Sequence, residues 1–313
     1  MAIFITGGYG HIASWAAFLL AKQGRQVIVY DKRDNAPDYL NEVSNNIEFI
    51  KGDVLDLEAL TDAFKTHDGE IEGVIHTVAI MGEQVQLNPH HNMSVNIMGL
   101  VNVLEASRSC KIKKIVYTST GAVYGAVDGL VPESSPPNPP DLYAATKISA
   151  EYLGAQYGRA FGIDFRVGRL YFVYGPGKYP SRFIKLYQLA FGALEGIEGL
   201  KADKGADQRV DFTYVEDAAR GIVLLFDAKN LGNKTFNIAM GQAHTVGEAA
   251  ELAQRYTHFP VRIDIGPGEL MRRSEALDIS RAVSELGYQP QYSLEEGVKR
   301  YADWLKAQTN SEQ

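Results

Sequence analysis

Tyr143 and Lys147 stand four residues apart in Tyr143-Ala144-Ala145-Thr146-Lys147, a spacing that sets both side chains on one face of a helix. A free phenol, with a pKa near ~10, is a poor base at neutral pH. An ammonium ~4 Å away is worth at most about 4 kcal/mol at an effective dielectric of about 20, or ~3 pK units. A tyrosinate reached in this way takes the proton of an alcohol while hydride leaves the adjacent carbon for a carrier. With 17 tyrosines in the chain, one accidental Tyr/Lys match at this spacing is expected. Tyr174/Lys178 is that accident, because Gly175-Pro176-Gly177 lies between them and cannot be helical. The Tyr143 pair therefore takes its meaning from context. Upstream, Tyr117-Thr118-Ser119-Thr120-Gly121 supplies hydroxyls at a strand end, where one can hydrogen-bond a reacting oxygen. Taken alone, such a segment satisfies its own backbone.

A hydride carrier needs a cradle. Thr6-Gly7-Gly8-Tyr9-Gly10-His11-Ile12-Ala13 joins a first apolar strand to a first helical pattern. Glycines allow positive φ and close backbone approach, and the helix start offers free amides to a pyrophosphate. Asp31 closes the second strand about 20 residues on, where a carboxylate binds adenosine ribose hydroxyls and opposes a 2′-phosphate. This favours NAD, although Lys32 and Arg33 follow directly.

The elements that must position these groups alternate. Ile3–Thr6, Gln26–Tyr30, Ile47–Lys51, Gly73–His76, Ile115–Ser119 and Asp164–Gly168 read as strands, with helical patterns such as His11–Gln23 and Asn92–Arg108 between them. Such alternation predicts an α/β fold, a doubly wound parallel sheet of Rossmann type with a smaller C-terminal substrate lobe. Residues 1–172 form the dinucleotide-binding domain, with a returning segment near 210–238, and residues 173–313 form mainly the substrate lobe. The proline-rich stretch 132–140 is a loop, and Asp141 caps the helix that carries Tyr143.

Composition narrows the class. A formal net charge of −7 without a basic stripe argues against nucleic acid and acidic membranes. No run approaches the ~18 apolar residues of a membrane span, and no secretory pattern opens the chain, so a cytoplasmic enzyme is expected. The single cysteine, Cys110, rules out an internal disulfide, and no metal site is expected.

These residues together resemble the extended short-chain dehydrogenases, the NAD-dependent epimerase/dehydratase group. The resemblance runs from the Gly7/Gly10/Ala13 turn and Asp31 through Gly52-Asp53-Val54, His76 to Ala79, Asn96 and Ser119 to Gly125. It continues through Tyr143/Lys147, Arg169 to Pro176, Asp211 to Asp217 and Leu286 to Pro290. It implies that Thr120, Tyr143 and Lys147 are catalytic. It further implies that Gly7, Gly10, His11, Ile12, Asp31, Asp53, Val54, Ala79, Asn96 and Lys147 hold NAD. It also implies a homodimer built on the helices within 92–108 and 141–161.

Departures from the family pattern bear on the substrate. The 4,6-dehydratases of the group carry acidic residues after the catalytic threonine, where this chain has Gly121-Ala122. Its nucleotide-sugar epimerases carry an asparagine where Phe172 stands and an arginine where Val210 stands, with Arg209 one residue away. Both losses argue against a bound nucleotide diphosphate. Phe172, Arg182, Arg209 and Arg273 are the candidate substrate contacts, with Arg272 beside the last. The expected activity is hydride transfer at a secondary alcohol of a sugar-like or polyol small molecule. The alternative is a UDP-hexose 4-epimerase. A noncatalytic NAD-binding regulator is a third reading, disfavoured because such proteins tend to lose the Tyr/Lys pair.

Overall fold

The computed structural model describes residues 1–81, 84–177 and 185–311. Short runs that are apolar throughout find burial only where both faces are covered, and here they form a parallel sheet. Its strands are β1 (Ala2–Thr6), β2 (Val27–Asp31), β3 (Ile47–Lys51), β4 (Ile71–His76), β5 (Lys114–Thr120), β6 (Asp164–Leu170) and β7 (Thr235–Ile238). They lie in the order β7-β6-β5-β4-β1-β2-β3, every neighbouring pair parallel. β1 and β2 are buried at every position, whereas edge strand β3 is half exposed. The order reverses between β1 and β4, which opens a crevice at their carboxyl ends.

Helices cover both faces. α1 (His11–Lys22), α2 (Leu57–Thr66), α3 (Gly99–Ser109), α4 (Leu142–Phe161) and α5 (Val215–Asp227) pack on the sheet. Ala13, Ala17 and Leu20 of α1 join Ala218 and Ile222 of α5 in one core, while Leu60, Val103 and Ala150 share the other. Asp141 caps α4 as expected, accepting the Ala144 amide at 2.8 Å, and Gly162 ends it in the left-handed conformation with φ +67°.

Two elements depart from expectation. The helical stretch over 92–108 is broken by a π-helical turn at Ser94–Met98. Inside that turn, Asn96 accepts the Ile80 amide at 2.7 Å and donates to the Ile80 carbonyl at 2.9 Å. The returning segment near 210–238 does not open as one strand. Arg209–Val210 pairs antiparallel with His244–Thr245, and Thr213–Tyr214 pairs parallel with Val173–Tyr174. Between them Asp211, fully buried, accepts the amides of Met240, Gly241 and Leu277. The returning chain supplies α5 and β7 to the large sheet, and Ala282, Leu286 and Tyr288 join the same core. A third core gathers Tyr174, Phe191, Phe212, Val246, Val298 and Tyr301.

Candidate active site

The turn after β1 is built for close approach. Gly7 has φ +69°, and a Cβ there would stand 2.9 Å from Val78 Cγ2; a Cβ on Gly10 would stand 2.9 Å from the Gly7 carbonyl oxygen. Gly10 precedes α1 with no side-chain cap, and the first turn holds no acidic residue, so its amides and dipole are available to an anion. His11 and Trp15 tie the loop after Tyr174 to this helix, His11 Nε2 lying 3.1 Å from the Gly175 carbonyl and Trp15 donating to that of Pro176 at 2.9 Å. Ile12 is partly buried against the core.

Asp31 is 5% exposed at the carboxyl end of β2 and accepts the Tyr9 amide at 3.1 Å. Arg33, missed as a contact, folds back onto it, with Nε 3.3 Å from the carboxylate. Asp53 is exposed and caps its own turn through the Leu55 amide, while Val54 is buried where Gly99 admits it closely. Ala79 is half buried beside the Ile80 segment that Asn96 clamps. An uncapped helix start, a glycine cradle and a buried carboxylate one strand away fit a dinucleotide.

At the end of β5, Thr120 Oγ1 accepts the Ala122 amide at 3.2 Å, and its hydroxyl stands beside the Tyr143 phenol. Burial pushes the Tyr143 phenol well above its ordinary value, and the Thr120 hydroxyl pulls it back. Lys147 Nζ donates to the Thr118 carbonyl at 2.7 Å and lies 4.5 Å from the centre of the Tyr117 ring. Burial brings Lys147 down to about 7, Glu151 opposing the shift. For the phenol, desolvation is the largest influence. His76, fully buried and within 2.7 Å of Thr6 Oγ1, is pushed down to about 3 by burial and adds no charge here.

One network escaped the sequence reading. Glu151, one turn beyond Lys147, pairs with Arg169 at 2.7 Å with both side chains under 8% exposed. Ser119 also donates to Glu151. Arg169 donates to Tyr124 Oη at 2.8 Å, and Tyr124 donates to Asn237 at 2.7 Å. The network fastens α4 to β5, β6 and β7 next to the end of β5 that carries Thr120. Its one sequence signal was the shared helix face of Lys147 and Glu151.

On the substrate side the candidates divide. Arg209 turns to the surface, donating to Glu275 at 2.9 Å and to the Ala243 carbonyl at 3.0 Å. Val210 is buried, Arg182 lies outside the described residues, and exposed Arg272 approaches Asp128 at 3.6 Å. Phe172 has φ +38°, unusual for an aromatic residue, and Arg273 covers its ring at 4.6 Å. A Cβ on Gly121 would stand 2.8 Å from the Tyr171 ring, so the acidic side chain of a dehydratase has no room there.

Residues 3–239 match the NAD dependent epimerase/dehydratase family. The chain belongs to that family. A family relative, the UDP-glucuronate 4-epimerase of Thermodesulfobacterium geofontis, is 31% identical over 96% of this chain and 95% of its own length. The crystal structure of a Thermotoga maritima UDP-glucose 4-epimerase with UDP-glucose superposes with a TM-score of 0.86 at 28% identity, over 99% of this chain and 100% of that one. A Thermus thermophilus UDP-glucose 4-epimerase complex with NAD gives 0.85 at 26% identity, over 98% and 99%. The family's NAD is the cofactor of this chain, and the cradle described above fits it.

Proposed function

We propose that this epimerase-type enzyme uses Tyr143, Thr120 and Lys147 to carry hydride transfer at a secondary alcohol of a sugar-like substrate that bears no nucleotide diphosphate. The observation that carries the reading is the Tyr143–Thr120 hydroxyl pair at the carboxyl end of β5, beside the buried Lys147. NAD, when bound, supplies the hydride acceptor. Thr120 orients the substrate hydroxyl, Tyr143 Oη takes its proton, and the carbon–oxygen single bond becomes a carbonyl as the carbon–hydrogen bond breaks. Return of both hydrogens, the hydride to the opposite face, gives an epimer; release of the ketone gives net oxidation. Gly7, Gly10, His11 and Ile12 cradle the pyrophosphate, Asp31 the adenosine ribose, Asp53 and Val54 the adenine, and Ala79 and Lys147 the nicotinamide ribose. Asn96 acts by holding Ile80 in place.

The missing diphosphate anchors support a compact substrate. Losing one charge-assisted arginine contact weakens binding by about 10- to 150-fold. Free sugars, polyols and sugar acids should therefore turn over, and UDP and dTDP should bind weakly in a saturation titration. The screen is followed at the nicotinamide absorbance and by product NMR. A second reading, a UDP-hexose 4-epimerase, is favoured by the near full-length match to such enzymes. Micromolar UDP binding with interconversion of a UDP-hexose would establish it in place of the first.

Among the described residues no helix is long and apolar enough to cross a membrane. A cytoplasmic homodimer is part of the same proposal. Met98, Leu142, Tyr152, Leu153 and Phe161 expose apolar surface on and beside α3 and α4, where a second copy would cover them. Sedimentation velocity should report a dimer, and a monomer at working concentration would remove this element.

A further inference from the structure

Of Arg209, Arg272 and Arg273, the last is unlike the others. Arg209 is neutralised by Glu275, and Arg272 extends into solvent near Asp128. Arg273 makes no ion pair among the described residues. It is half buried on an aromatic shelf, its guanidinium carbon 4.6 Å from the centre of the Phe172 ring and 5.3 Å from that of Tyr171. Nε is committed, donating to Tyr171 Oη at 3.1 Å. The two Nη groups carry the parallel donors that grip a carboxylate or phosphoryl group in a fork.

The shelf is fixed to the catalytic strand. Leu170 pairs with Thr120 in the sheet register, and the following Tyr171 packs where a Gly121 side chain would project. Tyr171 Oη donates to the Ser274 carbonyl at 2.7 Å. Ser274 Oγ donates to the Gly125 carbonyl at 2.9 Å and accepts the Val127 amide at 3.0 Å. Arg273 is thus held from both sides, one side chain away from the residues that follow Thr120. A cation kept over aromatic faces without a counterion is poised for an anion brought by a ligand.

We propose that Arg273 is the anchor for a compact oxyanion on the substrate, a carboxylate or a phosphoryl group, while Thr120 and Tyr143 hold the reacting hydroxyl. The substrate class is then sugar acids or sugar phosphates rather than neutral sugars. The proposal rests on the reading of Tyr143 and Thr120 given above, and its test separates the two.

Matched trios of one sugar, as the neutral compound, the carboxylic acid and the phosphate ester, are assayed with wild type, Arg273→Met and Arg273→Lys. Wild type should prefer an anionic member, and which one identifies the source of the oxyanion. Arg273→Met should raise KM for that member by about 10- to 100-fold with kcat changed far less, so that its preference over the neutral sugar collapses toward one. Arg273→Lys should restore part of the preference, because it returns the charge without the fork. Calorimetry of the same compounds with NAD-loaded Tyr143→Phe gives the binding difference without turnover, and thermal melting of Arg273→Met checks its fold. A neutral sugar that turns over as well as its anionic partners in wild type overturns the anchor while leaving the catalytic reading intact. Equal losses for neutral and anionic members in Arg273→Met also overturn it, since the shelf would then be structural only. Turnover unchanged in Tyr143→Phe removes the reading on which the proposal rests.

Discussion

Tyr143→Phe should lower turnover by about 10²–10⁴-fold, the usual contribution of a positioned proton carrier. NAD affinity should change less than about 10-fold, because at most one hydrogen bond is lost. The phenol is half-buried beside Thr120, so removing its oxygen deletes a proton site and leaves the glycine cradle and Asp31 untouched. Burial holds the phenol above its ordinary value, so alcohol oxidation by wild type should quicken as pH rises and the tyrosinate becomes more populated. Steady-state kinetics on the substrate found by the screen, with calorimetry of NAD, checks both parts. Turnover within a few-fold of wild type would show that Tyr143 does not carry the proton.

Arg169→Met should cost about 3–5 kcal/mol of folding stability, because it strands Glu151 as a buried, uncompensated carboxylate. Ser119 and Tyr124 lose order at the same time, which loosens the end of β5 against α4. The double variant Glu151→Met/Arg169→Met should recover part of the loss, since it removes the stranded charge along with its partner. Denaturant melts of the three proteins measure these terms. A loss under about 1 kcal/mol for Arg169→Met would mean that the pair is not the clamp described here.

What could be read in advance was what depends on local spacing. The Gly7/Gly10 turn, Asp31 at a strand end, the Asp141 cap and the Tyr143/Lys147 face each follow from a few consecutive residues, and the fold presents them at the crevice. The strand runs were equally plain, because a sheet buried on both faces demands uninterrupted apolar stretches. Long-range register was not legible. Whether Arg169 meets Glu151 depends on β6 lying beside β5, and whether Arg209 faces the cleft depends on a two-residue pairing with His244–Thr245. The carbonyl that Lys147 reaches was not legible either, because i, i+4 spacing fixes a shared face and not the backbone group that the ammonium meets. The left-handed turn at Phe172 carried no signal, since aromatic residues rarely adopt it.

Hydride loss from the alcohol carbon with proton transfer to Tyr143 is tested most directly by isotope labelling. NAD-loaded enzyme is mixed with substrate carrying deuterium at the reacting carbon, and the nicotinamide absorbance is followed in a single turnover. A rise in reduced-nicotinamide absorbance is expected, slowed by deuterium and slowed about 10²–10⁴-fold by Tyr143→Phe. Product formed with no such rise, no isotope effect, and deuterium exchanged into solvent would mean that the carbon loses a proton instead, and would contradict hydride loss.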